Sequence, residues 1–207
     1  MAILIENKSY ANNSREKEAA QQLKSRFEEE LKGTGAKGNI IIASSVQLFG
    51  QEIRDLDLVV IGNISGLKLR INTKYENRYS IPLGPKEIDV DIKDFCIIIE
   101  LKDHDPRHLY YDNFGALFAE YQDGKRNVTE QSEKQKYALK KFISENSDQK
   151  PPLIINMIWA RHVDDYSQIK GMKSNNLLIS HFSFKEMIVK AINSDEKVLP
   201  KEQANGY

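Results

Sequence analysis

The sequence predicts one α/β domain with a mixed central sheet flanked by helices. Apolar stretches of strand length alternate along the chain with amphipathic helical stretches, which is the pattern of a sheet covered by helices. The chain has 207 residues, of which 40% are hydrophobic, and this is enough for one domain with a substantial core. No internal repeat divides the sequence into smaller units.

The first half of the chain predicts a helix, two central strands and an insertion. Apolar residues recur at helical spacing between about residues 13 and 32, and the glycine-rich segment GTGAKGN ends this helix. NIIIASSVQL and RDLDLVVIGN follow as strands, and the second carries apolar residues on both faces. Residues from about 64 to 94 alternate polar and apolar side chains around turn residues, which predicts an insertion of hairpins.

The second half begins with FCIIIELK, which predicts the most deeply buried strand. A loop with a short hairpin and a helix over about residues 129–144 come next. Three further elements follow: the buried strand PPLIINMIWA, another strand in NNLLISHF, and a last helix in SFKEMIVKAI with a capping box from Ser183 to Glu186. We therefore divide the chain into an N-terminal segment (1–12), the domain (13–192) and a disordered tail (193–207).

Composition narrows the class of function. Lysine plus arginine and aspartate plus glutamate each number 30, so no overall field steers the chain to nucleic acid or membrane. Cys96 is the single cysteine, which excludes a disulfide framework and a cysteine-rich zinc site. The opening MAILIENKSY is too short and too charged for a signal peptide, and no apolar run approaches the roughly 20 residues of a membrane span. We expect a soluble, cytoplasmic protein with no membrane partner.

An acidic and a basic residue stand two positions apart at the end of the most apolar strand. Side chains alternate along a strand, so Glu100 and Lys102 point to one face while Leu101 points to the other. Only apolar residues occupy positions 95–99, and burial of a carboxylate beyond them is costly unless a cation or hydrogen-bond donors compensate it. Two interpretations follow: a weak ion pair where the strand reaches solvent, or a functional site.

A second strand carries carboxylates at a similar place. In RDLDLVVIG, Asp57 interrupts Leu56 and Leu58, and regular alternation puts Asp55 on the same face as Asp57. Two neighbouring strands with carboxylates at the edge of a buried core would leave like charges facing one another, unless a hard cation lay between them. The two strands together favour the functional interpretation and predict a cation site.

Asp57 followed at a distance by Glu100-Leu101-Lys102 resembles the active-site layout of the PD-(D/E)xK nucleases. Within that group the chain resembles the nuclease-related domain (NERD) family over about residues 13–192. The matching stretches are REKEAAQQL in the first helix, EIRDLDLVVIG, CIIIELK, and NVTEQSEKQKYAL in the later helix. The chain departs from the family in two places: Val128 replaces the usual proline, and the insertion between Asp57 and Glu100 is longer.

The resemblance implies a restriction-endonuclease-like fold and a deoxyribonuclease that needs Mg²⁺ or Mn²⁺. Asp57, Glu100 and the carbonyl of Leu101 would bind the metal ion, whose hard charge suits oxygen ligands. Lys102 would orient the attacking water or offset charge in the transition state. Glu16 would complete the metal shell or bind a second ion. Gln131 aligns with the family's glutamine and would hold a water molecule or a phosphate.

The pattern of the first helix makes Glu16 a candidate without the family. Glu16 lies on the apolar stripe of Leu23 and Phe27, whereas Glu18 does not. The alternative for Glu16 is a capping box, in which it bonds back to Asn13 at the start of the helix.

The later helix places Gln131 and Gln135 on its apolar face, where buried amides need partners. The basic residues nearby are interspersed with acids, so we expect them to form a solvated surface rather than to contact DNA. These basic residues are Lys125, Arg126, Lys134, Lys136, Lys140 and Lys141. His104 and His108 flank the strand end without the spacing of metal ligands, so we expect them to be neighbours of the site.

Two other hypotheses stay open. One is a non-catalytic module that binds nucleic acid or docks to a partner such as a helicase, to which domains of the resembled family are often fused. The intact Asp57, Glu100 and Lys102 argue against this module, while the zero net charge argues against strong unaided DNA binding. The other is a chain that forms part of a larger protein or complex, whose partner supplies the basic surface.

Overall fold

Strands and helices alternate along the chain as the apolar pattern predicts. The computed structural model describes residues 3–76, 82–148, 151–171 and 176–194. In chain order the elements are β1 (Ile3–Ser9), α1 (Ser14–Leu31), β2 (Lys37–Gln47), β3 (Asp55–Glu76), β4 (Pro82–Lys102), β5 (Leu109–Tyr111), β6 (Leu117–Tyr121), β7 (Gly124–Asn127), α2 (Val128–Asn146), β8 (Ile154–Ala160), β9 (Leu177–Leu178) and α3 (Phe184–Ser194).

The main sheet is mixed, which confirms the α/β class with a mixed sheet. Within the described residues it has six strands in the order β1-β2-β3-β4-β8-β9. The pairs β2–β3 and β3–β4 are antiparallel. The pairs β1–β2, β4–β8 and β8–β9 are parallel. β4 therefore lies inside the sheet with a partner on each side, as its uninterrupted apolar sequence predicts.

Helices cover both faces of this sheet, and the alternation along β4 divides its side chains between two cores. Ile97, Ile99 and Leu101 pack with the apolar residues of α1 and α3. Cys96 and Ile98 face the other way and pack with α2. Because Glu100 and Lys102 continue the second set, they belong to the side of α2.

The insertion that the sequence predicts over about 64–94 is, in its described part, a single long hairpin. β3 and β4 stay paired beyond the core, with a register shift between Asn63 and Leu67. The alternating residues of both strands therefore extend one ladder instead of forming several hairpins.

Three other segments differ from the sequence prediction or lie beyond it. The N-terminal segment 1–12 contributes β1, an edge strand that pairs with β2 and was not predicted. The loop after β4 contains a three-stranded sheet, β5-β6-β7, in place of one short hairpin. The last helix continues to Ser194, so the first two residues of the predicted disordered tail are helical, and residues 195–207 lie outside the described residues. In the described part of the chain, none of the helices has both the length and the apolar character of a membrane span.

Candidate active site

Glu100 and Lys102 form a buried ion pair at the end of β4. Their side chains are 3% and 6% exposed. Nζ of Lys102 donates to Oε1 of Glu100 at 2.6 Å. The interpretation as a surface ion pair is therefore wrong, because water is excluded from both groups and cannot screen their interaction.

Two glutamines of α2 complete the hydrogen bonding of this pair. Gln131 and Gln135 are four positions apart, so they lie one turn apart on the same helix face. Nε2 of Gln131 donates to Oε1 of Glu100 at 2.8 Å, and Nε2 of Gln135 donates to Oε2 at 2.6 Å. Nζ of Lys102 also donates to Oε1 of Gln131 at 3.3 Å and to the hydroxyl of Tyr121 at 3.4 Å. Gln131 thus lies at the predicted place, where it contacts both charged side chains.

β3 and β4 separate at this end of the sheet. The last pair of their ladder is Leu58 with Ile99, so Asp57 and Glu100 are the next residues on the two separating strands. Leu101 no longer has a partner in β3, and its backbone N–H donates instead to Oδ2 of Asp57 at 2.8 Å. Asp57 therefore lies beside Glu100, Leu101 and Lys102, at the gap that opens between the two strands.

The side chains of β3 change faces at Asp57, so the regular alternation of the strand is broken at that residue. Leu56 and Leu58 would share a face in a regular strand. Leu58 packs with α1 and α3, whereas Leu56 packs on the side of α2. On β2, Ser45 lies across from this break with a φ of 56°, in the left-handed region that residues other than glycine seldom adopt. As a result Asp55 is exposed, while Asp57 is partly buried in the gap.

Burial opposes the ionisation of Asp57. It raises the pKa of Asp57 to about 7, and the negative neighbours Glu100 and Glu16 act in the same direction. The hydrogen bond from the N–H of Leu101 and the charge of Arg15 act in the opposite direction on this pKa. The like charges predicted from the two strands are therefore close enough to affect one another, and a bound cation would stabilise them.

Glu16 lies in the first turn of α1 and is buried, at 8% exposed. Its carboxylate accepts from the hydroxyl of Ser45 and, at 2.5 Å, from Nδ2 of Asn13. Asn13 caps α1, because its side-chain oxygen accepts from the first backbone N–H groups of the helix. The structure thus shows Glu16 as an inward acid. Among the described contacts Glu16 bonds to the side chain of Asn13 and not to its backbone N–H, so the reciprocal bonds of a capping box are not complete. Glu18, in contrast, has an exposed side chain.

Arg15 enters the gap from the same turn of α1. Its Nη2 atom donates to the carbonyl of Leu101 at 2.7 Å and lies 3.4 Å from Oδ2 of Asp57. Its Nε atom lies 2.9 Å from Oδ2 of Asp103, directly after β4. The sequence did not predict this residue, because it stands among other charged residues at the start of an amphipathic helix.

An aromatic residue of the small sheet borders the site. Tyr121 of β6 lies between the ring of His104, at a centroid distance of 4.5 Å, and the guanidinium of Arg126, at 4.3 Å from its ring centroid. The pKa of His104 is lowered, first by burial and then by the charge of Lys102. His108 contacts a glutamate of β6 at 3.5 Å. His104 is thus a neighbour of the site, as predicted, whereas His108 contacts the small sheet.

The oxygen donors at the gap suit a hard cation in their chemistry. Asp57 and Glu100 offer carboxylate oxygens, and Leu101 offers a backbone carbonyl. That carbonyl accepts from Arg15, and both oxygens of Glu100 accept hydrogen bonds. Within the described residues, no group of three His, Cys, Asp or Glu side chains is arranged to hold a metal ion. A cation bound here would therefore replace existing contacts, that of Arg15 above all.

Local sequence patterns identified part of this site and missed the rest. Gln135 was identifiable from the sequence, since it shares a helix face with Gln131. Tyr121 was not, because its place at the site depends on how the small sheet packs. Ser45 and Asp103 carry no pattern of their own, because their contacts with Glu16 and Arg15 join residues that are distant in the sequence.

No family model matches the sequence, and no curated protein and no solved structure matches the chain. The resemblance to the nuclease-related domain family thus stays a prediction that rests on the quoted residues. The contacts around Asp57, Glu100 and Lys102 provide the evidence on which a function can be proposed.

Proposed function

We propose that this chain is a metal-dependent nuclease that hydrolyses phosphodiester bonds in DNA through Asp57, Glu100 and Lys102. The observation that supports it most is the buried Glu100–Lys102 pair beside Asp57, at the point where two central strands separate. Burial of an ion pair costs desolvation energy that an apolar pair avoids, so such a pair in a core favours a chemical role over a purely stabilising one.

The finer class of the fold belongs to the same proposal. Asp57 and Glu100 lie on adjacent antiparallel strands inside a mixed sheet, and Glu16 lies on a helix that covers it. This arrangement supports a restriction-endonuclease-like domain. Cys96 is buried, and burial raises the pKa of its thiol to about 12. A cytoplasmic setting belongs to the same proposal, because a chain with one cysteine has no internal disulfide to form.

Each side chain has a role that its contacts suggest. Asp57, Glu100 and the carbonyl of Leu101 would hold Mg²⁺ or Mn²⁺. Glu16, a buried carboxylate on the helix beside them, would serve the same or a second ion. Bound metal would polarise a phosphoryl oxygen and lower the pKa of a water molecule. Lys102 would offer its ammonium to a phosphate oxygen or to the attacking water.

Gln131 would act as a positioning residue in this scheme. It donates to Glu100 and accepts from Lys102, so it holds the acid and the base at a fixed separation. Such preorganisation lowers the cost of ordering charged groups when substrate binds.

Cleavage assays with Mg²⁺ and with Mn²⁺ on linear, circular and single-stranded DNA test the proposal. We expect wild-type cleavage that chelation abolishes, and loss of cleavage in Asp57→Asn and Lys102→Ala. Glu18→Gln is the matched control, because it removes an acid from the exposed side of α1. Wild-type rates in both site variants, with the fold preserved, would refute the assignment.

A second candidate function is a non-catalytic module that binds nucleic acid or docks to a partner such as a helicase. The contacts of Arg15 with Leu101 and Asp57 favour it, because they satisfy the site without metal. This module would bind DNA or a partner protein without cleaving DNA under any metal condition, so the same assays with a binding measurement distinguish the two functions.

A further inference from the structure

Arg15 already contacts oxygens that the proposed function assigns to the metal ion. Its Nη2 atom donates to the carbonyl of Leu101 at 2.7 Å and lies 3.4 Å from Oδ2 of Asp57. Carbonyl and carboxylate oxygens are also the ligands that Mg²⁺ and Mn²⁺ prefer. A divalent cation on these oxygens would lie close to a guanidinium that is always positive, and the two charges would repel one another.

Asp103 offers the guanidinium a second position. The Nε atom of Arg15 lies 2.9 Å from Oδ2 of Asp103. The other oxygen of that carboxylate, Oδ1, is buried and has no hydrogen-bond partner among the described residues. Adjacent donors of a guanidinium bind the two oxygens of a carboxylate as a pair. A rotation about the existing Nε contact would therefore move Nη2 from Leu101 to Oδ1 and would satisfy the buried oxygen.

We propose that Arg15 is a displaceable internal cation, which holds the metal position in the metal-free protein and transfers to Asp103 when a divalent ion binds. This proposal rests on the proposed function, because it takes Asp57 and the carbonyl of Leu101 as metal ligands. Arg15 then has two roles. Without metal its charge compensates Asp57, and after transfer it stays beside the gap as a positive group that faces an anionic substrate.

Competition of this kind lowers the affinity of the protein for free metal. The ion must displace Arg15 before it gains both ligands, so part of its binding energy is used for the transfer. A negatively charged phosphate that enters with the metal supplies another ligand and a partner for the displaced guanidinium. Metal binding is therefore expected to be stronger in the presence of DNA than in its absence.

Arg161 provides a matched control within the same group of ion pairs. Its Nη1 atom lies 3.5 Å from Oδ2 of Asp103, and its Nη2 atom lies 2.9 Å from a carboxylate oxygen of Glu18. Among the described contacts, none joins Arg161 to Asp57 or to the carbonyl of Leu101. Arg161→Gln thus removes one positive charge near Asp103 but leaves the metal position occupied by Arg15.

Calorimetric titration with Mn²⁺ at about pH 8, where carboxylates are ionised, tests the proposal. We expect Arg15→Gln to bind Mn²⁺ at least about tenfold more tightly than wild type, and Arg161→Gln to stay within about threefold of it. Asp103→Asn should bind Mn²⁺ more weakly than wild type. That loss should shrink in the double variant with Arg15→Gln, because no arginine then needs the carboxylate.

The outcomes separate this proposal from the proposed function. Equal affinity in wild type and Arg15→Gln, or an equal gain in Arg161→Gln, would overturn the role of Arg15 and leave the metal site standing. Failure of every variant and of wild type to bind Mn²⁺, with and without a short DNA, would overturn the metal site and this proposal with it. If Arg15→Gln does not fold, Arg15→Lys replaces it; lysine keeps the charge but lacks the paired donors, so a smaller gain in affinity is expected.

Discussion

The carboxyl of Asp57 lies where burial and two further carboxylates oppose its ionisation, which raises its pKa to about 7 from an ordinary value of 3.8. The folded protein therefore binds more protons than the unfolded chain between these two values. The free energy of unfolding therefore falls as the pH rises over this range. The stabilising contribution of protonated Asp57 is fully present below about pH 4 and is lost as the pH rises through about 7.

Asp57→Asn should remove this pH dependence. At about pH 8 without metal we expect the variant to be more stable than wild type by roughly 1 to 2 kcal/mol, after allowance for the partial exposure of the carboxyl. Urea unfolding of both proteins over a pH series measures it. Parallel stability curves for the two proteins would show that Asp57 ionises normally in the folded state.

Glu100 differs from Asp57 because three side-chain donors already satisfy it. Glu100→Gln removes the negative charge and leaves the ammonium of Lys102 buried without its counter-charge. We expect a loss of about 3 kcal/mol in the free energy of unfolding. Glu18→Gln serves as the control and should change that free energy by less than about 0.5 kcal/mol.

Urea unfolding again provides the measurement for Glu100. An unchanged midpoint in Glu100→Gln would mean that the pair with Lys102 contributes nothing to folding.

At the level of elements, the helices and most strands of the main sheet follow from local patterns. α1, α2 and α3 lie within about two residues of their predicted bounds, because apolar spacing and capping residues act locally. Gln131 and Glu16 were identifiable for the same reason, since each shares a helix face with apolar residues. β1 pairs with β2, which is distant in the sequence, and no pattern within β1 predicts this pairing.

The geometry of the gap was not predictable from alternation. It depends on the change of face in β3 at Asp57 and on the left-handed φ of Ser45. Residues other than glycine seldom adopt such a φ. The position of Arg15 depends in turn on Leu101 having lost its partner in β3. These features arise where two strands separate, and that separation is a property of the assembled sheet.

α1 places Glu16 inward and Glu18 outward, and this difference predicts different effects on cleavage. Glu16→Gln should lower the rate at least about tenfold, which corresponds to about 1.4 kcal/mol of barrier, while Glu18→Gln should be near neutral. The measurement is the single-turnover cleavage rate of each variant. Equal rates for wild type and Glu16→Gln would limit Glu16 to its contact with the helix cap.

At the scale of the whole molecule, the proposed activity has to work without a strongly basic protein. Lysine plus arginine equal aspartate plus glutamate over the full sequence, so phosphate contacts have to be local. Lys134 and Lys141 pair with acids along α2, which supports their interpretation as part of a solvated surface. In the proposed function, a metal ion at the gap would then be a main source of attraction for the scissile phosphate.

The measurement that tests the central claim most directly is a calorimetric titration of wild type and Asp57→Asn with Mn²⁺, once alone and once with a short DNA. We expect wild type to bind Mn²⁺, more tightly with DNA, and Asp57→Asn to lose that binding. At ten times the dissociation constant, bound metal should stabilise the wild-type fold by roughly 1.4 kcal/mol. No binding by wild type in either condition up to about 10 mM, above the range of ordinary protein sites for hard cations, would contradict a metal-dependent nuclease.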